Sequence, residues 1–144
     1  MTRVRRWLVA YIVAVLVFAV VDGIWISLVA NRVYRSQIGP LLAEQFVAPV
    51  AVVFYLGYVA GLVHFGIRPL DRDRRLLHRL GSAAVYGACT YGTWALTGWA
   101  VLRGFPAVVA LTDIAWGVVI CTLVTGVTAA FLFRSGPGAE SAVS

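Results

Sequence analysis

The stretch WLVAYIVAVLVFAVVDGIWISLVA, residues 7–30, decides the fold of this chain. It is longer than the roughly 20 residues that a helix needs to cross about 30 Å of hydrocarbon, and its only charged residue is Asp22. Backbone polar groups in lipid must be satisfied within the segment, and the alternating pattern of a barrel strand is missing here. The stretch is therefore predicted to be a transmembrane helix. Further apolar stretches of spanning length follow at residues 46–67, 80–102 and 107–133.

These four stretches predict an all-α polytopic membrane protein with four transmembrane helices in a single domain, residues 1–133. Hydrophobic residues make up 61% of the 144 positions and charged residues 12%, against roughly 25% charged residues in a soluble domain. The net charge of +6 is compatible with nucleic-acid binding. The arginines flank the spans, however, so the lipid bilayer and its anionic headgroups are the expected partners, and nucleic acid is not.

The distribution of arginine predicts the orientation, since the chain has no lysine. Nine arginines lie in the N-terminal tail, the second loop and the C-terminus: Arg3, Arg5, Arg6, Arg68, Arg72, Arg74, Arg75, Arg79 and Arg134. The first and third loops together carry three: Arg32, Arg35 and Arg103. By the positive-inside rule both termini are predicted to lie in the cytoplasm, giving an N-in/C-in antiparallel bundle in the cell inner membrane.

The two ends of the chain lead to separate expectations. The N-terminal arginines and the apolar run after them resemble a signal peptide, but no A-x-A-like cleavage site follows, so the first span is predicted to be retained. The tail SGPGAESAVS after Arg134 is small and polar, and residues 134–144 are predicted to be disordered. The first loop is predicted to turn at Gly39-Pro40, with Tyr34 resting on the outer membrane surface.

Two aspartates, Asp22 and Asp113, lie inside the first and last spans, each followed three residues later by a tryptophan, Trp25 or Trp116. A carboxylate within a spanning helix costs up to about 2.5–3.5 kcal/mol on insertion scales. From the rise of a helix, Asp22 is expected roughly 12 Å and Asp113 roughly 9 Å below the outer boundary. Both acids are therefore predicted to share the outer third of the membrane.

Side chains from all four spans are expected near this layer. The candidate ligand-binding cluster is Asp22, Trp25, Tyr55, Tyr58, Trp94, Thr97, Asp113 and Trp116. One interpretation is that each carboxylate accepts a hydrogen bond from an indole or phenol and locks the helix packing. The other is that the pair titrates, or holds a cation or a polar ligand. The sequence leaves both interpretations open.

Small residues predict close helix contacts. Gly57 and Gly61 form a small-x-x-x-small pair in the second span, and Gly87 belongs to a run of small residues in the third. No metal-ligand spacing, nucleophile–base pair or glycine-rich phosphate loop is visible in the sequence. No metal, cofactor or catalytic residue is therefore predicted.

The order of these motifs resembles a bacterial membrane-protein family known as domain of unknown function twenty-one seventy-seven. The resemblance rests on D-G-I-W, VANRVYRSQIG, FYLGYVAGLVHF, YGTWALTGWAVLRGFP and TDIAWG, and it runs from about Tyr11 to Phe133. Its most specific parts are the two Asp–Trp pairs and the cluster of Phe54, Tyr55 and Tyr58. The family pattern implies an acid and an amide in the third helix where this chain has Ala95 and Gly98, so a mechanism that needs three carboxylates is in doubt. The resemblance implies fold and membrane location, and no activity.

Three function classes stay open. The first is a small transporter or ion-handling protein that uses the polar site at Asp22 and Asp113. The second is a non-catalytic accessory or assembly subunit, with a homo-oligomer or another membrane protein as its partner. The third, and the least favoured because no catalytic motif is visible, is an accessory enzyme of membrane-lipid modification in which two acids act as acid and base.

Overall fold

The computed structural model describes residues 2–42, 44–45 and 47–134, and this part of the chain is helical without a β-strand. The first helix, α1, runs over Arg3–Trp25. Thr2 caps its N-terminus, because the Thr2 side chain accepts a hydrogen bond from the main-chain N–H of Arg5 at 3.3 Å. A π-helical turn, Ile26–Ala30, joins α1 without a break to α2, Asn31–Ile38. A 3-10 turn, Gly39–Leu41, ends this long rod.

The remaining helices form an antiparallel series. α3 covers Ala48–Leu62 and continues as a second π-helical turn, Val63–Ile67, which ends where Arg68 takes the left-handed conformation with φ of 48°. α4 covers Leu76–Val101, and α5 covers Ala107–Arg134. The hairpin between α4 and α5 turns at Gly104, which has a φ of 74°. Glycine adopts this conformation without steric cost.

The observed bounds correct the predicted ones in the first loop. Residues from Asn31 to Ile38 were expected in a loop, and they are a helix. This segment places Val33, Tyr34 and Ile38 on the side that packs against the bundle, so an amphipathic helix replaces the predicted loop. The break at Gly39-Pro40 is where the sequence predicts it. The predicted disorder of the C-terminal tail concerns residues that, beyond Arg134, lie outside the described part of the chain.

The buried face of α1 follows a stripe of four residues spaced four apart: Ala10, Ala14, Phe18 and Asp22. The opposite stripe is apolar and exposed, and it consists of Val4, Leu8, Ile12, Leu16, Val20 and Ile24. A helix whose outward face is apolar is stable where lipid surrounds it. Asp22 therefore points inward because it continues the register of the core.

One end of the bundle collects basic side chains, and we call it the arginine end. α1 and α4 begin at this end and α5 ends there. The guanidinium carbons of Arg6, in α1, and Arg79, in α4, lie 5.0 and 4.6 Å from the ring centre of Phe133 in α5. Arg79 is 1% exposed and donates hydrogen bonds to the main-chain carbonyls of Ile67, Arg68 and Asp71. One buried guanidinium thus caps the turn that follows α3.

The opposite end, where α2, the end of α4 and the start of α5 meet, is called the aspartate end. An apolar cluster of Ile38, Ala95, Phe105, Val109 and Ala110 closes it.

Three helical segments are long and apolar enough to cross a membrane: the rod Arg3–Leu41, the segment Ala48–Ile67 and the segment Ala107–Phe133. α4, predicted to be the span 80–102, has sufficient length but is not among these three. Its glycines, threonines and Ser82 make it less apolar than these three segments. They also allow close packing: a methyl group built on Gly87 would lie 2.6 Å from the carbonyl carbon of Gly117 in α5.

Candidate functional site

The Asp22 carboxylate lies at the end of the inward stripe of α1 and is 5% exposed. The indole Nε1–H of Trp116 in α5 donates to its Oδ1 at 3.0 Å. The Tyr55 hydroxyl of α3 faces the same carboxylate. Asp22 therefore lies where α1, α3 and α5 meet, and donors from α3 and α5 point toward its carboxylate.

The Asp113 carboxylate lies one turn before Trp116 in α5 and is 3% exposed. The hydroxyl of Tyr34, from α2, donates to its Oδ1. Its other oxygen, Oδ2, is buried and has no hydrogen-bond partner among the described residues. A buried polar atom that lacks a partner costs on the order of 1–3 kcal/mol, and more when it is charged. Among the described residues, this oxygen therefore has acceptor capacity left for a further donor.

Both carboxylates line one cavity of about 290 Å³. Its walls come from α1 and its π-helical turn, α2, α3, α4 and α5, and they include the aromatic residues Trp25, Tyr34, Tyr55, Tyr91 and Trp116. The rings of Trp25 and Trp116 are stacked, with centroids 4.2 Å apart and planes 5° apart. The cavity thus combines two acids with a wall of aromatic side chains.

Neither carboxyl group of this cavity has a basic partner within the described part of the chain, where no arginine pairs with Asp22 or Asp113. Arg35 approaches from α2, but its Nε donates to the side-chain oxygen of Asn31 at 2.7 Å and stays exposed. Groups of three or more His, Cys, Asp or Glu side chains that could hold a metal ion are not found among the described residues. The cavity is therefore suited to a cation that two carboxylates and aromatic faces can hold together.

The structure brings five of the eight predicted cluster residues to the cavity wall: Asp22, Trp25, Tyr55, Asp113 and Trp116. Trp94 faces Asp113 from α4 but is 54% exposed and packs edge-on against Phe105 at 6.1 Å. Thr97 is exposed and donates its hydroxyl to main-chain carbonyls of its own helix. Tyr58 lies among Phe18 and Tyr86 in the core, with its hydroxyl 2.8 Å from the sulfur of Cys121. None of these three residues lines the cavity.

Two aromatic wall residues, Tyr34 and Tyr91, are absent from the cluster predicted by sequence. Tyr34 was expected at the membrane surface, and the structure corrects this placement, because it is half-buried and bonded to Asp113. Twelve residues of plain α-helix would put Tyr34 about 120° around the axis from Asp22. The one extra residue of a π-helical turn reduces this angle to about 20°. The main-chain N–H of Asn31, which donates to the carbonyl of Ile26 five residues earlier, marks that turn.

The predicted packing glycines differ in their surroundings. Gly87 packs against the backbone of Gly117, and a methyl group on Gly61 would lie 3.0 Å from the ring of Tyr86. Gly57 has open space beside it, so the contact that the sequence predicts there is not present within the bundle.

Ala95 and Gly98 occupy the positions at which the resemblance described in the sequence analysis implies an acid and an amide. Ala95 is fully buried in the apolar cluster of the aspartate end, and the ring of Phe105 lies 3.3 Å from a methyl group built on Gly98. Apolar packing fills these positions, and the two acids of the cavity come from α1 and α5.

Comparisons with known proteins place this architecture in a family. A search of curated proteins and a search of solved structures found no match. The family model described as "Predicted membrane protein (DUF2177)" matches residues 7–130, which include every cavity residue named above. An all-helical chain with an apolar outer surface agrees with that description. The chain belongs to this family of membrane proteins.

Proposed function

We propose that the protein is a small multi-pass protein of the inner membrane that handles a cation, as a transporter or ion-handling protein, at the cavity between Asp22 and Asp113. The observation that carries the proposal is the buried Asp113 Oδ2, which lies in an acid-lined cavity and has no partner among the described residues. A purely structural lock would be expected to pair this atom, because an unpaired buried acceptor destabilises the fold. A bound cation supplies the missing donor.

The chemistry of the wall favours an organic ammonium ion. Calcium ions take six to eight oxygen ligands and magnesium demands near-octahedral geometry, whereas this cavity offers two carboxylates and phenol and indole groups. An alkylammonium group donates hydrogen bonds to carboxylates and is also attracted by aromatic faces. Trp25, Trp116 and Tyr91 provide such faces beside the two acids.

The proposed topology follows the arginines. With the arginine end in the cytoplasm and α4 crossing the membrane in addition to the three segments above, both acids lie toward the outer leaflet. The cytoplasmic arginines then lie at the level of anionic headgroups, which are the expected lipid partners of that end.

Methylammonium binding to purified protein in nanodiscs of neutral lipid tests the proposal, with tryptophan fluorescence as the readout. Binding is expected for methylammonium and not for methanol, which has similar size and no charge. Asp22→Asn and Asp113→Asn should each weaken binding about 10- to 100-fold, because a hydrogen bond to a charged group contributes about 1.5–3 kcal/mol. Asp73→Asn at the arginine end is the matched control and should bind normally.

The same variants separate the two interpretations of the acids. Asparagine still accepts hydrogen bonds from Trp116 and Tyr34, so the Asn variants should keep their fold and thermal stability. If wild-type protein binds methanol and methylammonium equally, or neither, the cation proposal fails. The aspartates would then be packing locks, as expected of a non-catalytic accessory or assembly subunit.

A further inference from the structure

An apolar groove of about 310 Å³ lies between α1 and α3, next to the acid cavity. It is lined by Val15, Phe18, Ala19, Gly23, Val52, Leu56 and Val59, together with Asp22, Ile26 and Tyr55. The last three residues also line the acid cavity. A polar compartment and an apolar one therefore share a wall, and Asp22 is the charged group between them.

The groove opens to the outer surface of the bundle. Ile26, Val52 and Leu56 on its rim are 44%, 55% and 44% exposed. A methyl group built on Gly23 would meet nothing within 4 Å, so the missing side chain leaves this part of the groove free. A hydrocarbon chain can enter such a site from the bilayer without first crossing water.

The direction of the groove matches the direction of a lipid. From Asp22 it extends along α1 through Phe18 to Val15, toward the arginine end, which corresponds to about 10 Å of helix. In the proposed topology this path runs from the outer leaflet toward the bilayer centre. A lipid of that leaflet holds its polar group outward and its chain inward in the same sense.

We propose that the ligand of this protein is an amine-bearing lipid, whose ammonium group lies in the acid cavity and whose hydrocarbon chain lies in the α1–α3 groove. The inference rests on the cation site proposed above and names the class of its ligand. The acid cavity selects the positively charged ammonium group of the lipid, because its carboxylates have no basic partner among the described residues. The groove selects the hydrocarbon chain of the lipid, because every residue lining the groove apart from Asp22 and Tyr55 is apolar.

A photoreactive primary alkylamine with a diazirine in the middle of its chain tests the inference in liposomes containing the full-length protein. The expected cross-links fall on residues 15–23 and 52–59, and they should be competed by octylammonium and not by octanol. Gly23→Leu fills the groove and should reduce labelling of these segments at least tenfold. Gly57→Leu is its control, since Gly57 also has open space beside it and does not line the groove.

Methylammonium binding, measured on the same variants, separates this inference from the proposed function. Gly23→Leu should bind methylammonium as the wild type does, because only the chain site is filled. Labelling spread over the outer faces of α4 and α5, or equal labelling by the corresponding alcohol probe, would overturn the lipid inference while the cation site stands. If the wild-type protein does not bind methylammonium, both the cation site and the lipid inference are contradicted.

Discussion

At the residue scale, the proposed function depends on single atoms. Trp116 donates to Asp22 and Tyr34 donates to Asp113, but the Oδ2 atom of Asp113 has no hydrogen-bond partner among the described residues. The sequence predicts that the two acids share a layer, because both lie at similar depth in their spans. It does not predict which oxygen lacks a partner, because that depends on the position of Tyr34, which lies 79 residues from Asp113 in the chain.

The packing of Gly87 against Gly117 gives a prediction at the same scale. Gly87→Ala should lower the free energy of unfolding by about 1–3 kcal/mol, since the new methyl group meets backbone that cannot move aside. Gly92→Ala in the same helix is the control, because its nearest neighbours lie at 3.9 and 4.0 Å. Denaturant unfolding in detergent micelles measures both variants. Equal stability of the two would contradict the close approach of α4 and α5.

Helices are predicted well from sequence where they are apolar throughout. The structure extends α3 with its π-helical turn to Ile67 and α5 to Arg134, close to the predicted limits of 67 and 133. The helix at Asn31–Ile38 was not predicted, because the polar residues of this amphipathic segment are also typical of a loop. The π-helical turn before it was missed because it follows from tertiary packing and has no local sequence signal.

This π-helical turn sets the rotation of α2 and yields a prediction at the element scale. Deleting Leu28, which is 60% exposed, removes the extra residue and leaves Tyr34 within about 20° of Asp22, so methylammonium binding should persist. Inserting an alanine after Leu28 rotates α2 by about 100°, and binding should be lost. Fluorescence titration compares the two variants. Equal loss in both would contradict the role assigned to the turn.

At the scale of the whole molecule, alternating helix directions place most of the arginines at one end and the two buried aspartates toward the other. Nine of the twelve arginines belong to the segments of the arginine end, and the two buried aspartates lie toward the other end. The charge distribution is readable from the sequence, since it depends only on the order of spans and loops. The cavity between the acids is not, because its shape depends on how five helical segments pack.

Reporter fusions test the proposed topology. A cytoplasmic reporter placed after Arg134 or within residues 72–75 should be active, and one placed in the hairpin at residues 103–104 should be inactive, because it would lie outside. An active reporter in the hairpin would mean that α4 does not cross the membrane. The fusion with the reporter after Arg134 serves as the expression control for the others.

Asp22 and Asp113 are proposed to hold one cation together, and solid-state NMR of the protein in bilayers tests this directly. Labelling with carboxyl-¹³C aspartate and ¹⁵N-methylammonium allows the carbon–nitrogen distances to be measured. We expect one nitrogen within about 4 Å of both the Asp22 and the Asp113 carboxyl carbons, and far from Asp71 and Asp73. A bound nitrogen near neither buried aspartate, or near only one of them, would contradict the shared cation site.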